Sequence, residues 1–519
     1  ICMCCSMQRC SWWPSDVIGL VRVKTIPARE GKIMDFYEML NWGLMAAAVA
    51  VMLGIGAMSS RRVSDSDEGG FLLAGRTLGP FVGASTIVAT GFSGWGFMGS
   101  PGVAYEFGAI EVLGNFFFAP AMMVAVLFFA SFMQKRALKM DSNTIPEYIG
   151  QIHGGGSGGR LLQGVAAVIT IVLLMVFLVS QIKAVGLLGA SWLNIEMTTS
   201  AWLMISVIII YTMWGGLAAV AWTDTVMVCG MAVGAIVILV QMFTSVDLTE
   251  WAAKLNAIDT NLLSPETGAP YGSSKSSVYL VFPYAFLFAA VLPYMSVRFL
   301  AFRPDVKMHT VGVYVAILGC ILSLIPIVGL YMRAFGPAID EADSAMPMYL
   351  QTFLHPALQG LITLFIIFAM KSTANSMLHT VASATSHDLR LALFKDAEHD
   401  SPRALTINRV AVVGLGLLGL LMMMYAPPFM LSWLGILGSG TLLAAMIGPV
   451  FISTFWQGNV AGALAAMLVG FFTSGGLLML TDLGWVEGPL LGALASSVCY
   501  VGVSLLTRRS LPAYSNSLS

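Results

Sequence analysis

Thirteen runs of mainly apolar residues, each long enough to cross a hydrocarbon layer as a helix, dominate this sequence. They fall at 39–58, 80–105, 109–133, 161–188, 201–218, 224–244, 277–297, 309–332, 354–386, 407–426, 429–455, 460–480 and 486–507. A bilayer core takes about 20 such residues per crossing, and inside it a backbone must satisfy its own hydrogen bonds. The expected fold is an all-α polytopic membrane protein with about 13 transmembrane helices. Composition agrees: 10% of the 519 residues are charged, against about 25% in soluble domains. So few charges cannot clothe a water-facing surface of this size, which excludes a soluble enzyme and a disordered chain. With 26 basic and 27 acidic residues the net charge is −1. That leaves no field for a polyanion, so the expected partner is the lipid bilayer and not nucleic acid.

Lysine and arginine in the connecting segments set the orientation. With the first run starting outside, sixteen basic residues fall in inner loops, Arg298 and Arg390 among them, and three (Lys254, Lys275, Arg333) in outer loops. This puts the N-terminus outside and the C-terminus in the cytoplasm. Residues 1–33 hold four of the seven cysteines, no continuous apolar signal segment, and basic residues on the wrong side. They read as a disordered or non-native tail. A transporter domain is expected over 34–510, with its core spans at about 80–455, followed by a short cytoplasmic tail at 511–519. Cys229, Cys320 and Cys499 lie in apolar runs and read as buried small side chains.

Two runs look broken. The second holds Gly91-Phe92-Ser93-Gly94-Trp95-Gly96 among further glycines and hydroxyls, and the seventh holds Pro283 and Pro293. Each glycine costs a helix about 1 kcal/mol, so 91–96 is expected to unwind. Interrupted helices at corresponding positions of two halves point to a transporter with inverted repeats, five crossings plus five. Unwound backbone frees carbonyls for a cation, and half-helix N-termini attract an anionic group. The ninth run carries Lys371, an ionisable group that costs about 2.5–3.5 kcal/mol at mid-membrane. It also carries Ser372, Asn375, Ser376, His379, Ser383 and Ser386 on one helical face. Such a stripe must face protein or water. It reads as the wall of an inward-facing cavity, the alternative being a polar seam between helices.

Four segments carry a family resemblance. They are Ala74-Gly75-Arg76-Thr77-Leu78-Gly79-Pro80, then Ser93-Gly94-Trp95, then the stretch from Tyr211-Thr212-Met213-Trp214-Gly215-Gly216 to Trp222-Thr223-Asp224-Thr225, and finally Ser372-Thr373 with Ser386-His387-Asp388-Leu389. Together they resemble the sodium:solute symporter family over roughly residues 36–510. The resemblance implies a co-transported sodium ion held by backbone oxygens of Ala89, Phe92 and Ala369 and by the hydroxyls of Ser372 and Thr373. It implies that Asp224 helps the ion leave toward the cytoplasm; read without the family, Asp224 is a helix N-cap. It places the solute at Thr90, Gly91, Ser93, Gly94, Trp95, Ala285, Ala289 and Pro293; Lys371, which departs from the family's pattern, is added to the solute residues as a buried charge in the ninth run. Proline-transporting members carry a carboxylate where Gly91 stands and aromatic residues where Ala285 and Ala289 stand, which points to a larger or different cargo. The 215–225 and Pro427-Pro428 segments look pantothenate-like. Lys371 is expected to be the counter-charge of a carboxylate cargo or a proton-linked gate.

Other motifs mislead. Gly414-Leu415-Gly416-Leu417-Leu418-Gly419 spells a dinucleotide fingerprint but lies in an apolar run with no preceding strand, so it reads as packing. The glycine-serine run at 154–159 lacks the lysine of a phosphate loop and reads as a flexible connection. No metalloprotease or hydrolase signature is present. The expected function is secondary active transport and not catalysis: sodium-coupled symport of a small organic solute, a carboxylate or amino acid of pantothenate or proline type, by alternating access across the cytoplasmic membrane. A proton-coupled carrier of the same fold is the alternative; a channel or a membrane sensor fits less well. Oligomeric state is not legible.

Overall fold

The computed structural model describes residues 36–60, 68–394, 402–425 and 431–507. The tails expected at 1–33 and 511–519, and Pro427-Pro428, lie outside the described residues. Helix α1 (Phe36–Ser60) precedes a short α2 (Glu68–Leu73). The second run is split into α3 (Pro80–Gly91) and α4 (Ser100–Phe107), joined through a wide turn at Trp95–Gly99. Next come α5 (Ala109–Ala125), α6 (Ser131–Met140), α7 (Ile145–Ile152), α8 (Gly156–Leu193), α9 (Met197–Ser245) and α10 (Leu248–Ile258). The seventh run is again split, into α11 (Val281–Val291) and α12 (Pro293–Ala301), bent by 56°. The rest are α13 (Met308–Leu322), α14 (Ile327–Phe335), α15 (Ala345–Phe353), α16 (Pro356–Ser383), α17 (Leu389–Leu393), α18 (Pro402–Met424), α19 (Leu431–Met446), α20 (Ser453–Phe455), α21 (Val460–Leu480) and α22 (Glu487–Thr507). Among the described residues there are no strands, only isolated bridges at Leu78–Phe302 and Gly268–Gly272.

Ten helical segments among the described residues are long and apolar enough to cross a bilayer, and the bent α11–α12 pair makes eleven. The difference from thirteen has two sources. Neither half of the broken α3–α4 crossing reaches the length by itself. The runs at 201–218 and 224–244 fall within the single 49-residue α9, which if straight would extend about 74 Å, more than twice a bilayer core of about 30 Å. It is not uninterrupted: Gly216 leaves helical geometry at φ 52°, ψ −146°. A Cβ there would sit 2.3 Å from the Phe71 carbonyl, so only glycine lets α2 approach.

Both expected breaks form, with two corrections. Phe92 ends α3 at φ −88°, ψ 81°, and only Phe92 and Ser93 fall outside helix, since Gly94 is helical again and Trp95–Gly99 continues as a wide helical turn; the break is shorter than the 91–96 expected. In the seventh run Leu292 is extended (ψ 125°) and Pro293 starts α12, as the clash of a proline ring with the preceding residue requires. Pro283 breaks nothing; it lies in the first turn of α11, where a missing N–H is harmless. The halves converge: α3 packs on α9, α13 and α16, while α16 packs on α8 and α9, and α19 on α8. Cys229 and Cys320 are exposed and Cys499 is half-buried, not buried as expected; small apolar side chains suit the outer surface of a membrane helix equally well.

Candidate functional site

The site begins where α3 stops. A helix end leaves its last carbonyls without intrahelical partners, and α3 stops beside the middle of α16. There Ala369, Ser372, Thr373 and Ser376 recur at the i, i+3, i+4, i+7 spacing of one face. Ser372 Oγ donates to the Ala89 carbonyl at 2.6 Å and lies 2.9 Å from that of Ala369. Thr373 Oγ1 donates to the Thr90 carbonyl at 2.9 Å and lies 3.4 Å from that of Ala369. Ala89, Ala369, Ser372 and Thr373 are wholly buried. The structure thus gathers four of the five residues expected around sodium. Neither hydroxyl bonds to Phe92, whose place is the turn itself. Each hydroxyl keeps acceptor lone pairs, so the cluster offers neutral oxygens of the kind that hard cations take.

One turn along, the structure overturns two expectations. Arg298, counted as an inner-loop residue, is on α12 and wholly buried. Asp224, read as an N-cap, is inside α9 and also wholly buried. The two face each other, with Arg298 Nη2 3.5 Å from Asp224 Oδ2. Arg298 Nε donates to Thr86 Oγ1 (2.9 Å), Nη2 donates to Thr90 Oγ1 (2.6 Å) and to Ser376 Oγ (2.5 Å), and Nη1 donates to the Tyr294 carbonyl. Thr86 donates to Asp224 Oδ2 at 2.5 Å. Asp224 Oδ1 has no hydrogen-bond partner among the described residues. Sequence reasoning missed Arg298 because hydropathy ended the seventh run at 297; the available signal was that a half-helix starting at Pro293 needs a second turn.

The remaining candidates surround the break. A Cβ on Gly91 would meet Met122 Sδ at 2.6 Å and Met295 Cε at 3.6 Å, so methionines fill the position where proline carriers place a carboxylate. Gly94 N–H donates to Gln181 Oε1 at 2.9 Å, tying the unwound segment to α8, and Ser93 Oγ accepts from Trp95 N–H at 3.0 Å. Trp95 stacks edge-on against Phe118, which also touches Phe92 and Phe288. Ala285 and Ala289 are buried on α11, three positions before and one after Phe288 of that aromatic group, and Pro293 opens α12. The Thr90 hydroxyl belongs to the Arg298 cluster. Gln181, Met122 and Met295 carry no motif and are visible only in three dimensions.

Lys371 is 1% exposed, with no hydrogen bond or ion pair among the described residues. It lies about 100° from Ser372 around α16. It shares a face with Asn375, which accepts from Thr212 of α9. The structure therefore does not bring Lys371 to the α3 oxygens. The polar stripe also resolves differently from expectation. Ser376 meets Arg298 and Thr90, His379 meets the Phe71 carbonyl, Ser383 bonds back to His379 O, and Ser386 meets Asn408. With Ser372 and Asn375 paired as above, all six have partners, so the stripe is largely a seam. His379 and Ser383 do line a narrow cavity, together with Pro293, Val297, Thr380 and Asp388.

Below that cavity the Ser386-His387-Asp388-Leu389 motif anchors a buried ionic cluster. The His387 ring nitrogens lie 3.1 Å from Glu68 Oε1 and 3.2 Å from Glu147 Oε2. Arg390 Nη2 donates to Glu68 Oε2 at 2.8 Å. Asp388 accepts from Thr144 (2.6 Å) and Gln163 (2.9 Å). Segments far apart in sequence are thereby fastened to the end of α16.

Two interrupted crossings with an oxygen cluster between them define an alternating-access secondary transporter. The chain belongs to the sodium:solute symporter family, whose profile matches residues 71–470. It is 26% identical over 478 residues to the osmoregulated proline transporter OpuE of Bacillus subtilis (strain 168), covering 88% of this chain and 93% of that one. It is 26% identical over 437 residues to the sodium/pantothenate symporter of Escherichia coli (strain K12), covering 82% and 88%. Its fold is that of a Na+-coupled sialic acid symporter solved in a substrate-bound outward-open state (TM-score 0.73, 18% identity, 90% and 98% covered). It also matches Mhp1, a nucleobase-cation-symport-1 family transporter (TM-score 0.56, 16% identity, 86% and 96% covered). The five-plus-five inverted-repeat core, the family and sodium-coupled transport of a small solute across a membrane therefore stand as expected.

Proposed function

We propose that the co-transported sodium is held by the Ala89, Phe92 and Ala369 carbonyls and the Ser372 and Thr373 hydroxyls, and that Asp224 lies on its release path. The observation that carries this is the 2.6 Å contact of Ser372 with Ala89 across the end of α3. The solute sits beside it, along Thr90, Gly91, Ser93, Gly94, Trp95, Ala285, Ala289 and Pro293. Its class is a small carboxylate or amino acid, which the proline and pantothenate carriers among the relatives support. Lys371 is left out of this set, because its face of α16 is turned to α9. The transporter domain covers 34–510, with its N-terminus outside and its C-terminus in the cytoplasm, in the cytoplasmic membrane. A tenfold sodium gradient supplies about 1.4 kcal/mol and 100 mV about 2.3 kcal/mol per charge. One ion thus sustains a gradient of several hundredfold for a neutral cargo. The test is uptake into proteoliposomes of labelled proline, pantothenate, short monocarboxylates and sugars, with and without sodium. Sodium-dependent uptake of an acid is expected; uptake of sugars alone would refute the solute class.

A further inference from the structure

We propose that Glu111 carries a proton whenever the segment 259–280, between α10 and α11, is seated on it, so that a neutral carboxyl straps down the outer end of α4 and its ionisation frees it. Glu111 lies in the first turn of α5 and is 1% exposed. Its Oε2 accepts from the hydroxyl of Tyr271, which is buried as well. Its Oε1 has no hydrogen-bond partner among the described residues, and neither has Ser100 Oγ, which faces the carboxyl from α4. Among the described residues no ion pair includes Glu111. The elements packed against α5 supply no counter-charge. Arg333 of α14 lies over the Tyr105 ring of α4, Tyr331 of α14 stacks on Trp251, and Glu106 of α4 is exposed. Tyr284 of α11 is bonded to Ser439, and Tyr279 packs on Phe117. On α13, which meets α5 where Asn115 donates to the Ser323 carbonyl, Cys320 is exposed, and His309 and Tyr314 lie further toward its start. Within the segment itself Asp259, Glu266 and Lys275 are exposed.

An ionised carboxylate only accepts hydrogen bonds, and burying one without a counter-charge is costly enough that such a group takes a proton instead. A proton on Oε1 gives both orphaned atoms a partner: the acid O–H donates to Ser100 Oγ, while Oε2 still accepts from Tyr271. The segment that closes over this carboxyl bridges two parts of the fold. Its Tyr271 fills the notch at Gly114, where a Cβ would lie 2.5 Å from the hydroxyl, and its Leu262 carbonyl sits 2.2 Å from the Cβ position of Gly108, the α4–α5 corner at φ 83°. On the other side Trp485 N–H donates to the Pro270 carbonyl at 2.9 Å, and Ser277 donates to Glu487, the first residue of α22, at 2.7 Å. Outer opening parts α4 and α5 from this strap. Water then reaches Glu111, and its proton passes to the outer solution; closing takes one back from the same side. Because the proton enters and leaves by one face, it is not a co-transported ion. It sets how readily the outer side opens, and opening is favoured as outer pH rises, since the closed form binds the extra proton.

Calling this side outer rests on the orientation proposed above, and the experiment reads side and proton separately. Asn261→Cys and Leu262→Cys place a thiol at an exposed and at a buried position of the segment. A membrane-impermeant maleimide should label Asn261→Cys on intact cells, above the wild-type background; no labelling there overturns the orientation and leaves the proton measurement intact. On purified protein in detergent, the labelling rate of Leu262→Cys is divided by that of Asn261→Cys, which cancels the titration of the thiol. With the native Glu111 this ratio should rise about tenfold between pH 6 and pH 9. Glu111→Gln, whose amide makes the same two bonds as the neutral acid, should keep the ratio low at every pH. Tyr271→Phe should make it high already at pH 6. Ser100→Ala, which removes the acceptor of the acid proton, should move the midpoint of the rise to lower pH. A flat ratio with the native Glu111, which needs no change at the site itself, overturns the proposal, and so does a pH dependence that survives Glu111→Gln.

Discussion

The Ser372 hydroxyl and the Ala89 carbonyl, 283 positions apart in sequence, meet at 2.6 Å where α3 ends. Neither group is unusual alone. Their meeting depends on a helix that stops in mid-membrane and so leaves a carbonyl for a partner on another helix. Removing either hydroxyl should therefore act on the ion first. Ser372→Ala and Thr373→Ala are each expected to lower apparent sodium affinity tenfold or more, equivalent to about 1.4 kcal/mol. Solute KM at saturating sodium should change far less. Sodium titrations of initial uptake check this, and an unchanged sodium dependence in both would exclude these oxygens from the site.

Gly91 leaves no room for a side chain while Met122 Sδ stands 2.6 Å from its Cβ position. Methionine is flexible and can yield, so Gly91→Ala should fold yet raise solute KM several-fold. Met122→Ala in the same chain should restore much of that loss. No recovery in the double variant would show that the obstruction lies elsewhere.

Lys371 is buried, without a hydrogen bond or ion pair among the described residues. Lys371→Met keeps the side chain's length and removes a charge that the fold leaves uncompensated. Higher thermal stability in detergent is expected, with solute KM altered less than twofold. A tenfold KM rise for a carboxylate solute, but not for its neutral amide, would reinstate Lys371 as the cargo's counter-charge.

His387 sits between Glu68 and Glu147 with one ring nitrogen toward each. Both carboxylates lie within ion-pair distance of the ring, which separates two groups that would otherwise face each other in a buried space. His387→Ala would leave two buried carboxylates with less compensation, a loss of about 3–5 kcal/mol where a buried pair is broken. Thermal unfolding should show a lowered midpoint, and Glu147→Gln in the same background should recover part of it. A midpoint unchanged by His387→Ala would show that Arg390 alone balances Glu68.

Asp343, between α14 and α15, accepts from the Leu431 N–H at 3.0 Å. Burial raises its carboxyl to about 6, and that bond offsets the rise only in part. An unfolded carboxyl releases its proton near 4. The folded chain therefore binds the extra proton between about pH 4 and 6, and stability falls as pH rises through that window. The difference is worth about 3 kcal/mol. Asp343→Asn should flatten the dependence, as measured by unfolding midpoints from pH 4 to 7.

Apolar length is a local property, and so is helix-breaking chemistry. For that reason the thirteen runs, a break within 91–96 and the break at Pro293 could be read from the chain alone. The hydroxyls at 372 and 373 were legible too, since spacing along a helix decides which residues share a face. What those faces meet was not legible. Arg298 counted as a loop charge until α12 carried it inward to Asp224, and Lys371 seemed aimed at the solute until packing turned it toward α9. The methionines before Gly91 carry no signal of their own. Hydropathy and periodicity describe one helix at a time, whereas the ion pair and the solute space arise from which helices touch, and only the packed bundle decides that.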